Sequence, residues 1–170
     1  MHNNKIFGIG LSRTGTTSLT KALEILGYKS KHFPKIYLDR KKEVKIKAEY
    51  LKNYDALIDT PIALSYKQLD KIFPNSKFIL TIRDKKSWLK SCKYMFKNMP
   101  KDKAKAISVL HEKLYNGAEF NKENLSTAYD SHIKNVLSYF ENRKTDLLII
   151  NIPKGEGWEK LCPFLKKPYP

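Results

Sequence analysis

The chain has 170 residues, with 33 Lys and Arg against 17 Asp and Glu, a net charge of +16 at pH 7 and 41% hydrophobic content. A chain of this length buries roughly 70% of its unfolded surface, which excludes whole-chain disorder and predicts one domain, 1–170, whose core needs no disulfide or metal. The charge points to anionic partners and leaves nucleic acid, an acidic membrane surface and a phosphorylated small molecule open.

Met1-His2-Asn3-Asn4-Lys5 runs into a strand predicted over Lys5 to Ile9, with no apolar signal-peptide core before it. Leu19, Ala22, Leu23 and Leu26 then recur at i, i+3, i+4 and i+7, and Gly27 stands where such a helix stops. The basic run Arg40-Lys41-Lys42-Glu43-Val44-Lys45-Ile46-Lys47 is expected on a solvated helix surface. A strand over Ala56 to Asp59 is followed by a short helical stripe of Leu64, Leu69, Ile72 and Phe73 that ends at Pro74, and by a strand over Phe78 to Ile82. Met99 to Glu119 is predicted helical with a weaker stripe and a second lysine run, Lys101 to Lys105. Leu125, Tyr129, Ile133, Val136, Leu137 and Phe140 mark another helix, and Leu147 to Ile152 the last strand. Strands apolar on both faces, alternating with helices, predict an α/β fold with a parallel sheet covered on both sides. No apolar run reaches the ~18 residues of a membrane span, so a cytoplasmic protein is expected. Cys92 and Cys162 lack metal-ligand or disulfide spacing and are expected as core or helix-face thiols.

Gly8-Ile9-Gly10-Leu11-Ser12-Arg13-Thr14-Gly15-Thr16-Thr17-Ser18-Leu19 joins the first strand to its helix. A glycine-bearing loop followed by free helix amides is the arrangement an anion site requires, and Thr16, Thr17 and Ser18 add hydroxyl donors. The spacing from Gly10 to Gly15 fits the start of G-x-x-x-x-G-K-[ST], but Thr16 stands where a nucleotide triphosphatase carries lysine. The cation is Arg13, inside the loop. Farther on, Arg83 closes the third strand at the edge where open α/β sheets bind ligands, and Ser91 lies two turns into the next helix. Such an Arg and Ser are able to converge on one phosphate; the plainer alternative is an Arg83–Asp84 ion pair.

Arg13-Thr14-Gly15-Thr16-Thr17, together with Arg83 and the Ser91 eight residues after it, resembles the sulfotransferase superfamily. Asp59-Thr60-Pro61, the Arg-Asp-x-x-x-Trp segment from Arg83 to Trp88, and Gly157 to Leu165 resemble its bacterial and lower-eukaryotic branch, with Arg in the loop. The resemblance implies a three-layer P-loop fold like that of nucleoside triphosphate hydrolases. It also implies a donor, 3′-phosphoadenosine 5′-phosphosulfate (PAPS), leaving as adenosine 3′,5′-bisphosphate, and no metal. Arg13, Thr14, Gly15, Thr16, Thr17 and Ser18 would hold the phosphosulfate, and Arg83 and Ser91 the 3′-phosphate. Lys154, in the late Lys154-Gly155-Glu156-Gly157 segment, would close over that phosphate.

Sulfuryl transfer needs charge stabilisation at the leaving oxygen, implied for Arg13, and a base for the acceptor. His32 and Asp59 are the candidates; Asp59 is able to act as base, to orient His32 or to bind the acceptor, and a surface histidine and a helix-capping aspartate are the plainer readings. Trp88 and Trp158 are candidates for stacking on adenine, with packing favoured. The helices from Leu89 to Asn142 are expected to wall the cavity for a small-molecule or sugar acceptor, with Tyr94, Phe96, Tyr115, Phe120 and Tyr129 as candidate lining. The rivals are a small-molecule P-loop kinase, in which Asp59 imitates a metal-binding strand-end aspartate, and a nucleotide-binding protein of the same fold without catalysis. Specific nucleic-acid binding is not expected, since no motif accompanies the charge.

Overall fold

The computed structural model describes residues 4–100 and 105–170. At its centre, strand β1 (Ile6–Gly8) leads through a loop into helix α1 (Thr16–Ile25), which returns the chain to the short strand β2 (Ser30–His32). A hairpin of β3 (Ile36–Leu38) and β4 (Val44–Ile46) and helix α2 (Ala48–Asn53) precede β5 (Ala56–Ile58) and α3 (Thr60–Ile72). Then follow β6 (Lys77–Thr81), α4 (Lys85–Lys97), α5 (Lys105–Tyr115), α6 (Lys122–Tyr139), β7 (Leu147–Ile150) and α7 (Trp158–Leu165). The main sheet has the order β2-β5-β1-β6-β7 with every pair parallel, and β3 and β4 form a separate antiparallel pair.

Strand alternation divides the core into two layers. Phe7, Ile9, Leu57, Phe78 and Leu80 point to one face, packed with Ile62, Tyr66 and Leu69 of α3 and Val136 of α6. Ile6, Ala56, Ile58, Ile79 and Ile150 point to the other, under Leu19 and Leu23 of α1 and Leu161 of α7. This is the helix–sheet–helix arrangement expected from strands apolar on both faces, and it is consistent with the three-layer P-loop fold that the resemblance implies. A third cluster, with Leu11, Trp88, Cys92, Tyr115, Leu125 and Tyr129, roots α4, α5 and α6 beside the strand ends.

Helix α1 stops as its sequence predicts: Gly27 takes φ 87°, and the amides of Gly27 and Tyr28 donate to Glu24 and Leu23, a Schellman closure. Three expectations are corrected. The Arg40 to Lys47 run is the turn and second strand of the β3–β4 hairpin rather than a helix face, with Val44 turned into the core. The buried stripe of α3 is Ile62, Ala63, Tyr66 and Leu69, whereas Ile72 is exposed, because the helix begins at Thr60 and that start sets which residues face the sheet. Of the helix predicted over Met99 to Glu119, Lys105–Tyr115 is helical while Met99, Pro100 and Asn116 to Glu119 are not; Lys101 to Ala104 lie outside the described residues. Cys92 and Cys162 are both buried and unpaired by disulfide. Among the described residues no helix is long and apolar enough to cross a membrane.

Candidate functional site

The chain leaves β1 to build β2 and β5 on one side and β6 and β7 on the other, so β1 is the switch point, where open α/β sheets form a crevice at their carboxyl ends. Each strand end delivers one part. In order across the sheet these are His32 from β2, Asp59 from β5, the loop of residues 9–15 from β1, Arg83 from β6, and the Ile152–Lys154 turn after β7.

Close approach shapes the loop. A Cβ on Gly10 would stand 1.9 Å from Thr81 Oγ1 and 2.6 Å from the Thr81 carbonyl, so only glycine fits. Gly15, at φ 105°, caps α1 with no side chain between the loop and the helix amides, and Ile152 and Pro153 pack against it. The Thr14 hydroxyl donates to Leu11 O at 2.7 Å and meets Thr81 Oγ1 at 2.6 Å; it braces the loop, leaving only its backbone for a ligand. Trp88 is fully buried and its Nε1 donates to Ser12 O at 2.9 Å, so it packs beneath the loop and is not free to stack on a base. Trp158 is half-buried against the α1 and α7 layer. Ser18 is exposed on the first turn of α1.

On the β5 side, Asp59 is buried with φ 91° and ψ −173°, a region that costs a non-glycine residue about 1–3 kcal/mol. Its amide donates to Gly8 O at 3.1 Å and its carbonyl accepts from Ile62 and Ala63, so the backbone is held at both ends. This conformation turns the carboxylate away from the amides of α3, to which it gives no cap. Instead Oδ1 accepts from Ser12 Oγ at 2.7 Å and Thr60 Oγ1 at 3.0 Å, and the two hydroxyls touch each other. Oδ2 lies 3.0 Å from His32 Nε2, which also lies 3.2 Å from Thr16 Oγ1 and 3.3 Å from Thr17 Oγ1. The fully buried Tyr115 lies beside Ser12 and Thr60; burial raises its phenol above the ordinary value, and the Asp59 charge adds to that. His32 and Asp59 are therefore brought together; the His32 side chain is 36% exposed, and Asp59 stands at the N-cap position of α3 without a side-chain cap.

On the β6 side, Arg83 Nε donates to Ser87 Oγ at 2.9 Å and its Nη1 to the Arg13 carbonyl at 3.2 Å. Tyr129 brackets the Arg83 backbone, accepting from its amide and donating to its carbonyl. Asp84 accepts from Ser87 N at 2.8 Å as the α4 cap rather than pairing with Arg83. Ser91 Oγ instead accepts from Arg13 Nε at 2.9 Å. Arg13 itself is exposed and left-handed, at φ 74°. Burial pushes the Cys92 thiol up to about 12 while Arg13 and Arg83 both pull it down, so the two guanidinium charges act on one buried group. Like charges gathered at one crevice make a site for an anion. Lys154 is exposed in the turn whose Ile152 and Pro153 abut Gly15.

A cavity of about 510 Å³ is lined by Arg13, Thr16, Thr17, His32, Asp59 and Arg83 from the strand-end side and by Phe33, Met95, Met99, Pro100, Ile107 and His111; Ser18, Ser91 and Lys154 do not line it.

Residues 5–170 match the family model described as Sulfotransferase domain. The chain belongs to this sulfotransferase family. It is also 27% identical, over an alignment of 206 residues covering 98% of this chain and 77% of the relative, to Ava biosynthesis cluster protein M of Aspergillus versicolor. Several parts of this candidate site escape a sequence reading. Ser12 and Thr60 adjoin residues picked out by motif, but only the fold shows that their hydroxyls converge on Asp59. Ser87 lies one turn before Ser91, and no spacing distinguishes which of the two meets Arg83. The expected aromatic lining is replaced by methionine and isoleucine: Tyr115 and Tyr129 are buried in the core, Tyr94 faces solvent, and Phe96 and Phe120 border a neighbouring cavity. His132 is enclosed, 2.7 Å from Ile9 O, and burial lowers its pKa, so it donates as a neutral ring beneath the loop.

Proposed function

We propose that the protein, acting as one domain, transfers the sulfuryl group of PAPS to a hydroxyl of a small acceptor. The observation that carries this reading is the convergence of Arg13, on the loop, with Arg83, on the next strand end, at a single cavity that also holds the paired His32 and Asp59. Two cationic elements suit a donor with phosphates at both its 3′ and 5′ ends. Gly15, which keeps the helix amides clear, suits the 5′-phosphosulfate with Thr16, Thr17 and Ser18. Arg83, Ser91 and Lys154 are assigned to the 3′-phosphate.

With Asp59 accepting from the Nε2–H of His32, Nδ1 is the ring's one proton acceptor, and His32 is the base. Asp59 already takes donors on both oxygens, so it is a positioning residue that fixes this tautomer. His32 takes the acceptor's proton as the acceptor oxygen bonds to sulfur. The bond from sulfur to the bridging phosphate oxygen breaks with its electron pair, yielding a sulfate ester and adenosine 3′,5′-bisphosphate. Arg13 and the α1 amides stabilise the charge that grows on that oxygen; arginine retains its proton and acts electrostatically. The name of the Aspergillus versicolor relative, a biosynthesis cluster protein, accords with a small-molecule acceptor.

A small-molecule kinase is disfavoured because Thr16, at the lysine position, engages His32. Thermal stabilisation by adenosine 3′,5′-bisphosphate is expected to exceed that by ATP with Mg²⁺ or by duplex DNA. Stabilisation by ATP with Mg²⁺ alone would sink the reading. Binding of the bisphosphate without transfer from labelled PAPS to any of a panel of phenols, alcohols and amines would leave the non-catalytic alternative.

A further inference from the structure

The two ends of the cavity differ in chemistry. The strand-end side is cationic and hydroxyl-rich; the α4–α5 side is formed by the thioethers of Met95 and Met99, Pro100 and Ile107, with Phe33 from after β2, and His111, 3% exposed, is the one polar side chain there among the described residues. A saccharide entering that end would bring several hydroxyls out of water, and each one left without a partner costs about 1–3 kcal/mol. An apolar body gains there instead, and methionine, unbranched and polarisable, adapts to varied shapes. Met99 and Pro100 also line a second cavity of about 750 Å³, bordered by Phe96 and Phe120. Lys93, Lys97, Ser108 and Glu119 border that second cavity as well, so its surface is mixed.

Resting on the sulfotransferase reading above, we propose that the α4–α5 end of the cavity is the acceptor site and takes a hydroxyl compound with an apolar body, such as an alkylphenol, in preference to a saccharide. The phenolic hydroxyl lies at His32 and the alkyl body runs along Met95 and Met99. The phenol O–H proton passes to His32, the phenolic oxygen bonds to sulfur, and the electron pair of the broken S–O bond leaves on adenosine 3′,5′-bisphosphate.

The test uses 4-methyl-, 4-propyl- and 4-pentylphenol and chitotriose, with labelled PAPS for transfer and, by calorimetry, with the bisphosphate-loaded protein for binding. Adenosine 3′,5′-bisphosphate affinity is measured in the same preparation. KM and Kd are expected to fall by about two- to fourfold per added methylene, the value for burying CH₂ groups, and chitotriose to be a poorer acceptor than any phenol. Met99→Gln is expected to flatten that dependence and Met99→Leu to restore it, with bisphosphate affinity unchanged in both. A flat or inverted series, or preferred transfer to chitotriose, overturns the proposal while tight bisphosphate binding keeps the donor reading standing. Absence of bisphosphate binding overturns both.

Discussion

The loop end of the cavity hangs on the carboxyl ends of adjacent parallel strands, whereas the methionine end hangs on α4, α5 and the residues that leave them. At the first, almost every polar side chain is tied to another: Ser12 and Thr60 to Asp59, His32 to Asp59, Arg83 to Ser87, Arg13 to Ser91. At the second, the named walls apart from His111 are apolar and exchangeable in shape. Sheet register fixes group positions closely, as directional hydrogen bonds require; helix surfaces joined by side-chain packing tolerate substitution and adapt. On the proposed reading, the chemistry belongs to the sheet and the choice of acceptor to the helices.

Breaking the rigid end carries the largest expected effect. His32→Gln is expected to lower the transfer rate by about 10²- to 10⁴-fold, the usual contribution of a general base, while bisphosphate affinity stays within about twofold. A loss under tenfold would remove His32 as the base. Asp59→Asn is expected to reproduce part of that loss in kcat with little change in KM, since it disturbs a tautomer and not a contact with the acceptor. Next in size, Ser91→Ala is expected to weaken the bisphosphate by about three- to tenfold, within the range for an ordinary net hydrogen bond. Ser87→Ala is expected to act through Arg83 alone, by about twofold. Equal effects of the two serines, read by calorimetry, would erase the distinction between them.

The smallest effect concerns the support beneath the loop. Burial lowers the His132 pKa, so between its folded value and about 6.5 the unfolded chain binds the extra proton. The stability it contributes is full above about 6.5 and is lost as pH falls through the folded value. The midpoint of thermal unfolding is therefore expected to drop between pH 7 and 5, and to drop less in His132→Gln. The same slope in both proteins would assign the acid sensitivity elsewhere.

The loop end was also the more legible in sequence. Gly10, Gly15 and Gly27 are placed by steric need, and steric need leaves a mark in residue type. Arg13, Asp59 and Arg83 lie at strand-to-helix junctions, where hydrophobic period changes. By contrast β2 reads as Ser30-Lys31-His32, an edge strand paired on one side only, so it lacks two apolar faces and gives no strand signal. The β3–β4 hairpin was hidden by its lysines, which stay solvated in strand or helix alike. Exchange of partners between Ser87 and Ser91 depends on the rotation of α4, set by Trp88 and Cys92 in the core. Met99 and Ile107 of the methionine wall fall in the weak apolar stripe of Met99 to Glu119, whose period does not show which face turns inward, and Met95 lies on α4 before it.

On the proposed reading one anionic donor bridges Arg13 and Arg83, and calorimetric titration of the protein and of Arg83→Ala with adenosine 3′,5′-bisphosphate and with adenosine 5′-phosphate separates its two ends. The substitution is expected to weaken the bisphosphate by about 10- to 100-fold, the range for a charged hydrogen bond, and the monophosphate by less than about threefold. Equal losses for both ligands would contradict it.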